Sequence, residues 1–282
     1  MPNSTESEKQ LSAGWVTGKH VLVTGASSGI GREIVKQLNG ICRKLSLVSR
    51  NTNSKLKELE EELRKAQESS KGNYRSAIAT HCMDIRNIKE MQSLVKGIYE
   101  GGDQVDGFIN CAGGSHVYGP IEAMEISDIE AILDTNAKAP ILWLSLLLPY
   151  MKGNRYDSKE SKRGHVLMLS SRSGERTLPK LSAYTVAKGA VEKLVEAMQK
   201  EYAQSRIVFT LVNPGSVNTA FTANWDESTR KAHNDESLTV TEAVEPILHA
   251  INARYATNKI SYESVDQWLS EPGVLRDRTF GA

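Results

Sequence analysis

The chain has little of what would mark a specialised architecture. Its three cysteines, Cys42, Cys82 and Cys111, are odd in number, far apart and never in CxxC spacing. That argues against a disulfide framework or a zinc site and fits a reducing, cytoplasmic setting. Charge of one sign is also lacking: 35 Lys and Arg face 34 Asp and Glu, a formal +1. Neither a nucleic-acid surface nor a polybasic membrane contact is indicated, and small-molecule chemistry becomes the default. There is no proline-dense, repetitive or low-complexity tract, and nothing linker-like divides the 282 residues. The most apolar window, Ala139 to Met151, falls short of the roughly 18 to 20 residues of a bilayer span. It reads as a buried helix with Pro149 near its end, so no integral membrane segment is expected. The opening run MPNSTESEKQ has two glutamates and no apolar stretch, unlike a signal peptide. Residues 1–18 are expected to be a polar tail and 19–282 a single domain.

What is present is a rhythm. Short runs rich in Val, Leu and Ile recur at 21–25, 45–49, 76–84, 107–113, 165–171 and 207–215. Stretches of helical periodicity separate them at about 29–39, 52–70, 87–100, 127–152 and 183–204, followed by 239–255 and a possible seventh strand at 259–265. Strands alternating with helices predict an α/β fold, a doubly wound parallel sheet of the Rossmann type with helices on both faces. The segment 52–70 is laced with opposite charges at i, i+4 spacing, the mark of an exposed helix.

Thr24-Gly25-Ala26-Ser27-Ser28-Gly29-Ile30-Gly31 follows the first strand and opens the first helix. In that context a glycine-rich turn lets backbone N–H groups and a helix N-terminus meet a pyrophosphate. The second strand then ends in Ser49-Arg50-Asn51. A carboxylate there would accept the ribose hydroxyls of NAD, whereas a neutral Ser followed by Arg suits a 2′-phosphate. NADP is expected over NAD, unless Arg50 is simply a solvated strand end.

The fifth strand ends in Ser170-Ser171, Tyr184 follows thirteen residues after Ser171, and Lys188 comes four further on. Tyr184 and Lys188 therefore share one face of a helix. A phenol near pKa 10 works poorly as an acid or base at neutral pH, but a neighbouring ammonium stabilises its phenolate. Ser171 is placed to donate a hydrogen bond to a carbonyl oxygen.

From about Lys19 to Val265 the chain resembles the short-chain dehydrogenases/reductases, with these motifs in the family's order. The resemblance implies a cofactor turn at Gly25, Ser27, Ser28, Gly29, Ile30 and Gly31, with Ser49, Arg50 and Asn51 beside the adenosine ribose. It makes Asp84 and Ile85 the adenine-binding acid and its neighbour, although Asp84 would alternatively cap the helix that follows. Asn110-Cys111-Ala112-Gly113 is similar to the fourth-strand NNAG signature, with Cys111 where a second Asn is commoner. Asn136 matches the asparagine of the family's proton relay, completing the catalytic set Asn136, Ser171, Tyr184 and Lys188. Pro214, Gly215, Val217 and Thr219 resemble the segment that contacts the nicotinamide end. The implied reaction is hydride transfer between NADPH and a ketone or secondary alcohol, with Tyr184 as general acid or base. SRN and NCAG are reminiscent of 3-ketosphinganine reductases; a general carbonyl or 3-oxoacyl reductase is the broader expectation. A dehydrogenase of small 3-hydroxy acids and a catalytically idle NADP-binding regulator are the alternatives. The family's habit of pairing the helices matching 127–152 and 183–204, together with the apolar LWLSLLL run, implies a homodimer or homotetramer.

Ligands in such sheets lie beyond the carboxyl ends of the strands, which brings loops 113–120, 172–182 and 216–237 around the substrate. The last is the expected lid. Phe221 and Trp225, four apart, are expected on one short helix over an apolar substrate, or else as anchors to the protein's own core. Arg176 and His116 are candidate anchors for an acidic group, or solvated loop residues.

Overall fold

The computed structural model describes residues 14–50, 53–69, 75–156, 162–253, 259–264 and 267. Asn51 lies outside the described residues. The chain runs β1 (His20–Thr24), α1 (Gly29–Leu38), β2 (Lys44–Ser49), α2 (Asn53–Ser69), β3 (Ala77–Cys82), α3 (Ile88–Glu100) and β4 (Gly107–Asn110). It continues through α4 (Ile126–Leu133), α5 (Ala139–Met151), β5 (Gly164–Leu169), α6 (Arg172–Glu175), α7 (Ser182–Glu201), β6 (Ile207–Pro214), α8 (Glu227–Asp235), α9 (Val240–Asn252) and β7 (Lys259–Tyr262). The strands form one sheet, all pairs parallel, in the order β3-β2-β1-β4-β5-β6-β7. The order reverses between β1 and β4, the switch point at which such sheets open a crevice for ligands.

Both faces of the sheet are covered, which is why its central strands read as unbroken apolar runs. Val21 and Val23 of β1 and Leu167 and Leu169 of β5 pack on one side with α1, α2 and α9. Leu22, Val166 and Met168 face the other way, against α3, α5 and α7. The charged helix α2 contributes only the stripe Leu56, Leu59 and Leu63 to the core, as its composition predicts.

Two expectations are corrected here. The packed structure starts before Lys19: Val16 is fully buried in the core, and Trp15 and Val16 both donate from their backbones to Asn252. Residues 14–18 are thus no free tail, because Trp15 and Val16 have apolar surface to bury. The helix expected at 127–152 is continuous but passes through a π-helical turn, Asp134–Lys138, between α4 and α5. The resulting run, Ile126–Met151, is by length and composition apolar enough to cross a membrane. Its Trp143, Leu144, Leu147, Leu148 and Met151 are instead packed against the sheet.

Candidate active site

The glycine turn closes on itself by contact. Gly25 has φ +70°, and a Cβ there would lie 2.8 Å from the Ala112 nitrogen; one on Gly31 would lie 2.3 Å from the Gly25 carbonyl oxygen. Gly29, at φ +51°, would bring a Cβ 3.3 Å from Thr219. L-residues rarely adopt such conformations, so glycine is required at 25 and 29. The helix start is open to a ligand: Ser28, the N-cap of α1, makes no side-chain cap hydrogen bond. By contrast Asn87 caps α3 and Thr239 caps α9 with a reciprocal capping box. An uncapped helix N-terminus behind tight glycines fits a phosphate group.

Around the turn, Ser27 and Ser49 share a hydrogen bond of 2.6 Å between their hydroxyls. Arg50 is exposed just past β2. Its charge helps hold the Asp84 carboxyl below the usual carboxylate range, mainly set by the hydrogen bond from Arg86. Asp84 is gripped by the Arg86 guanidinium and backbone and does not cap α3, whose cap is Asn87. Ile85 is buried among the apolar residues on the α3 side of the sheet. Asn110 is also turned inward, accepting from Thr24 Oγ1 at 2.9 Å, while the Ala112 N–H donates to the same Thr24 oxygen at 3.2 Å. These bonds lace β1 to β4 and hold Ala112 and Gly113 against the turn. Burial pushes the Cys111 thiol up to about 12, with the Lys188 charge opposing, so Cys111 stays a protonated packing group.

The four residues expected to act together come from three segments and meet beyond β4 and β5. Tyr184 and Lys188 lie on α7, with Lys188 Nζ 5.6 Å from the tyrosine ring centroid and donating to the Leu169 carbonyl at 3.0 Å. Ser171 caps α6, its Oγ accepting from the Ser173 N–H at 3.1 Å and donating to Ser173 Oγ at 3.2 Å, and its hydroxyl acts on the Tyr184 phenol in the direction that favours phenolate. Asn136 stands in the π-helical turn. Its Oδ1 accepts from Gly114 N at 2.8 Å, and its Nδ2 donates to the Gly114 and Ile132 carbonyls at 2.9 Å each. The Asn136 side chain thereby clamps the loop after β4. A Cβ on Gly113 would lie 2.7 Å from Asn136 Oδ1 and 3.2 Å from Lys188 Nζ, so the cluster leaves no room for a methyl group.

The electrostatics differ from the expectation that Lys188 lowers the tyrosine. Burial raises the Tyr184 phenol above its ordinary value, against the pull of the Ser171 hydrogen bond, and lowers Lys188 to about 8. The Tyr184 ring sits in an apolar cluster with an aromatic cover. Phe221 lies on Tyr184 with ring centroids 5.3 Å apart, and Tyr184 is 7% exposed. Phe221 meets Trp225 edge-on, and Trp225 stacks on Tyr118 at 4.3 Å. These rings are not on one helix as expected: Phe221 is in a 3-10 turn, Ala220–Thr222, and Trp225 precedes the polar helix α8. Asp226, which caps α8, starts that helix only after the aromatic pair.

The segment leading from β6 to Phe221 is pinned at its root. Gly215 donates to the Tyr262 carbonyl, Val217 bridges to Leu238, and Thr219 Oγ1 accepts from the Phe221 N–H. Pro214 ends β6. The acid-binding candidates are both engaged: His116 pairs with Asp128 at 2.8 Å and Arg176 with Glu263 at 3.3 Å. Sequence reading missed a charged group behind Ser171, formed by Glu175, Glu192 and Lys259. Its members come from three distant segments, and no local pattern marks them.

Comparison with known proteins bears on the family and the fold. The short chain dehydrogenase family model matches residues 19–230. Dehydrogenase/reductase SDR family member 7B of Xenopus laevis is 30% identical over 217 residues, 77% of this chain and 64% of that protein, so the match leaves about a third of its length unspanned. A short chain dehydrogenase from Escherichia coli CFT073, solved with NADPH, superposes with TM-score 0.72 at 21% identity, covering 88% of this chain and 97% of its own. An NADH-dependent reductase, A1-R', solved with NAD, gives TM-score 0.70 at 22% identity, covering 91% and 98%. With the family match running from the residue before β1 into α8, the chain belongs to the short chain dehydrogenase family.

Proposed function

We propose that the chain is an NADPH-dependent oxidoreductase that interconverts a ketone and a secondary alcohol, acting most naturally as a reductase of apolar carbonyl compounds. The observation that carries this reading is the convergence of Ser171, Tyr184 and Lys188 at the strand ends, across the switch point from the uncapped glycine turn. The bound nicotinamide supplies or accepts the hydride. Gly25, Ser27, Ser28, Gly29, Ile30 and Gly31 would hold its pyrophosphate, with Ser49, Arg50, Asp84, Ile85, Asn110, Ala112 and Gly113 framing the adenosine side. Pro214, Gly215, Val217 and Thr219 would frame the nicotinamide side.

The Ser171 hydroxyl donates to the substrate carbonyl oxygen and stabilises the charge that develops on it. Tyr184 delivers the proton from its phenolic oxygen in reduction and takes it back in oxidation. Displacing Phe221 to admit substrate relieves the burial that holds the phenol up. Lys188 then stands as the nearby cation that favours phenolate in the oxidative direction. Asn136 holds Gly114, and through it the loop wall beside Lys188. In this reading residues 216–237 are the lid. Their rings, with Met124, Ile132 and Leu181 beneath, favour an apolar ketone of the 3-oxoacyl or long-chain 3-keto kind. A small 3-hydroxy acid is disfavoured, since His116 and Arg176 are already paired. Intact Asn136, Ser171, Tyr184 and Lys188 weigh against an idle regulator. Exposed Ile126, Ile141 and Val186 on α4, α5 and α7 support assembly into a dimer or tetramer, and a monomeric mass by light scattering would refute it.

NADPH and NADH oxidation across a panel of a 3-oxoacyl thioester, a long-chain 3-ketosphingoid base, a vicinal diketone and a short keto acid tests the reading. Turnover with an apolar ketone and NADPH supports it, and silence across the panel despite NADPH binding counts against it. The variant R50D separates the cofactors. Losing one charge-assisted phosphate contact should raise the KM for NADPH by about ten- to a hundredfold with little change for NADH, and an equal effect on both removes the assignment to NADP.

A further inference from the structure

The groups proposed for the reaction arrive on separate pieces of chain, Ser171 on the turn between β5 and α6, Tyr184 and Lys188 on α7. Small errors in such spacing are costly, because a displacement of about 1 Å can cost about a hundredfold in rate. What joins the two pieces is a polar wedge. Ser170 Oγ donates to the Lys188 carbonyl at 3.1 Å. Gly174 of α6 packs so closely on α7 that a Cβ would lie 2.6 Å from Glu192 Oε1 and 3.2 Å from the Lys188 carbonyl oxygen. Lys259, the first residue of β7, sets its ammonium between the helices, 2.7 Å from Glu175 Oε1 and 3.1 Å from Glu192 Oε2.

Each carboxylate has further fixed partners. Asn213 Nδ2 donates to Glu192 Oε1 at 2.9 Å, and Ser261 Oγ donates to Glu175 Oε1 at 2.6 Å. Arg172 pairs with both Glu175 and Glu263, and Arg176 closes the outer side on Glu263. The side chains of Glu175 and Glu192 are 17% and 11% exposed. Charges this sheltered depend on their partners far more than surface pairs do. Glu192 lies one helical turn beyond Lys188, so whatever holds Glu192 holds the face that carries Lys188 and Tyr184.

We propose that Lys259 is a positioning residue: its ammonium ties Glu175, on the Ser171 turn, to Glu192, on the Tyr184 and Lys188 helix, and so fixes the distance between the serine hydroxyl and the phenol. The inference rests on the reaction proposed above. Without the ammonium, two carboxylates that each lie within 3.1 Å of it lose the cation they share. Among the described residues Glu175 keeps Arg172 and Glu192 keeps only the Asn213 amide, and the loss of the tie with the added repulsion loosens α6 from α7.

The test uses K259M, K259R and E175Q/K259M, assayed for ketone reduction and separately for NADPH binding by fluorescence titration. K259M should lower kcat about tenfold or more while the cofactor Kd stays within about twofold, since the glycine turn lies across the sheet. K259R should keep kcat within about threefold of wild type, and E175Q/K259M should recover only to the level of E175Q alone, because the repelling charge is gone but the tie is not restored. A K259M enzyme with wild-type kcat, or one that loses kcat and NADPH affinity in parallel, overturns the role. Should K259M not fold, E175Q alone decides: a several-fold fall in kcat with cofactor binding intact supports the tie, and an unchanged kcat overturns it. A wild-type chain that binds NADPH but reduces no ketone refutes the proposed reaction itself, and this is seen before any variant is made.

Discussion

At the N-terminal end of the sheet His165 is fully buried, Nε2 2.9 Å from Thr210 Oγ1 and Nδ1 3.2 Å from Lys162 Nζ, while His20 is held between Ser46 and Asp103. At the C-terminal end Tyr184 and Lys188 are buried almost as deeply, yet the cover over Tyr184 is a ring from a loop. Both ends desolvate titratable groups and shift them the same way: burial lowers His20 to about 4 and His165 well below its ordinary value, as it lowers Lys188 to about 8. The difference lies in what does the burying. Strands and core helices enclose the histidines as structural links; the ring against Tyr184 comes from the Ala220–Thr222 turn, and on the reading proposed above its displacement by substrate returns the phenol to a polar setting. Burial alone therefore does not mark a functional group; what supplies the cover is what distinguishes the two ends.

The largest expected effect tests the removable end. Y184F keeps the ring and loses the proton carrier, so kcat should fall by about 10²- to 10⁴-fold with NADPH binding preserved; retained turnover would move the chemistry elsewhere. The fixed end should respond in stability and not in rate. Below pH 6.5 the unfolded chain takes up protons that folded His20 refuses until about pH 4, so stability falls as pH falls through that window, by up to about 3 kcal/mol from this residue. H20Q should flatten that loss in denaturant titrations at pH 7 and pH 4.5 while leaving kcat alone; a change in kcat would erase the contrast between the two ends. The smallest effect sharpens the comparison: F221A uncovers Tyr184, and kcat/KM for a bulky ketone should rise by a factor of about three. A fall instead would make Phe221 part of the substrate's seat and not its cover.

How much of this was legible in the sequence depended on how local each cause is. The strands, the glycine turn and the pairing of Tyr184 with Lys188 follow from periodicity and spacing, and the structure puts each where those place it. The inward role of Asn110 and the pairing of Asp84 were not readable, because their partners, Thr24 and Arg86, are ordinary residues whose significance is geometric. The lid aromatics were seen but assigned to a helix, since spacing of four is helical and the cap at Asp226 that delays α8 reads like any loop aspartate. Lys259 carried no signal at all: its partners Glu175 and Glu192 are 84 and 67 positions away.

The π-helical turn at Asp134–Lys138 has a mechanical consequence of its own. One residue more than an α-helical turn rotates everything beyond it by about 100° relative to an unbroken α-helix. Ile132 before the turn is therefore free to face the aromatic cluster under the lid, while Trp143, Leu144 and Leu147 after it face the sheet. Deleting a single residue there would bring the two stripes back into phase and leave one of them pointing at the wrong neighbour. The slip in phase is what allows one rod of helix to serve as a wall for two compartments.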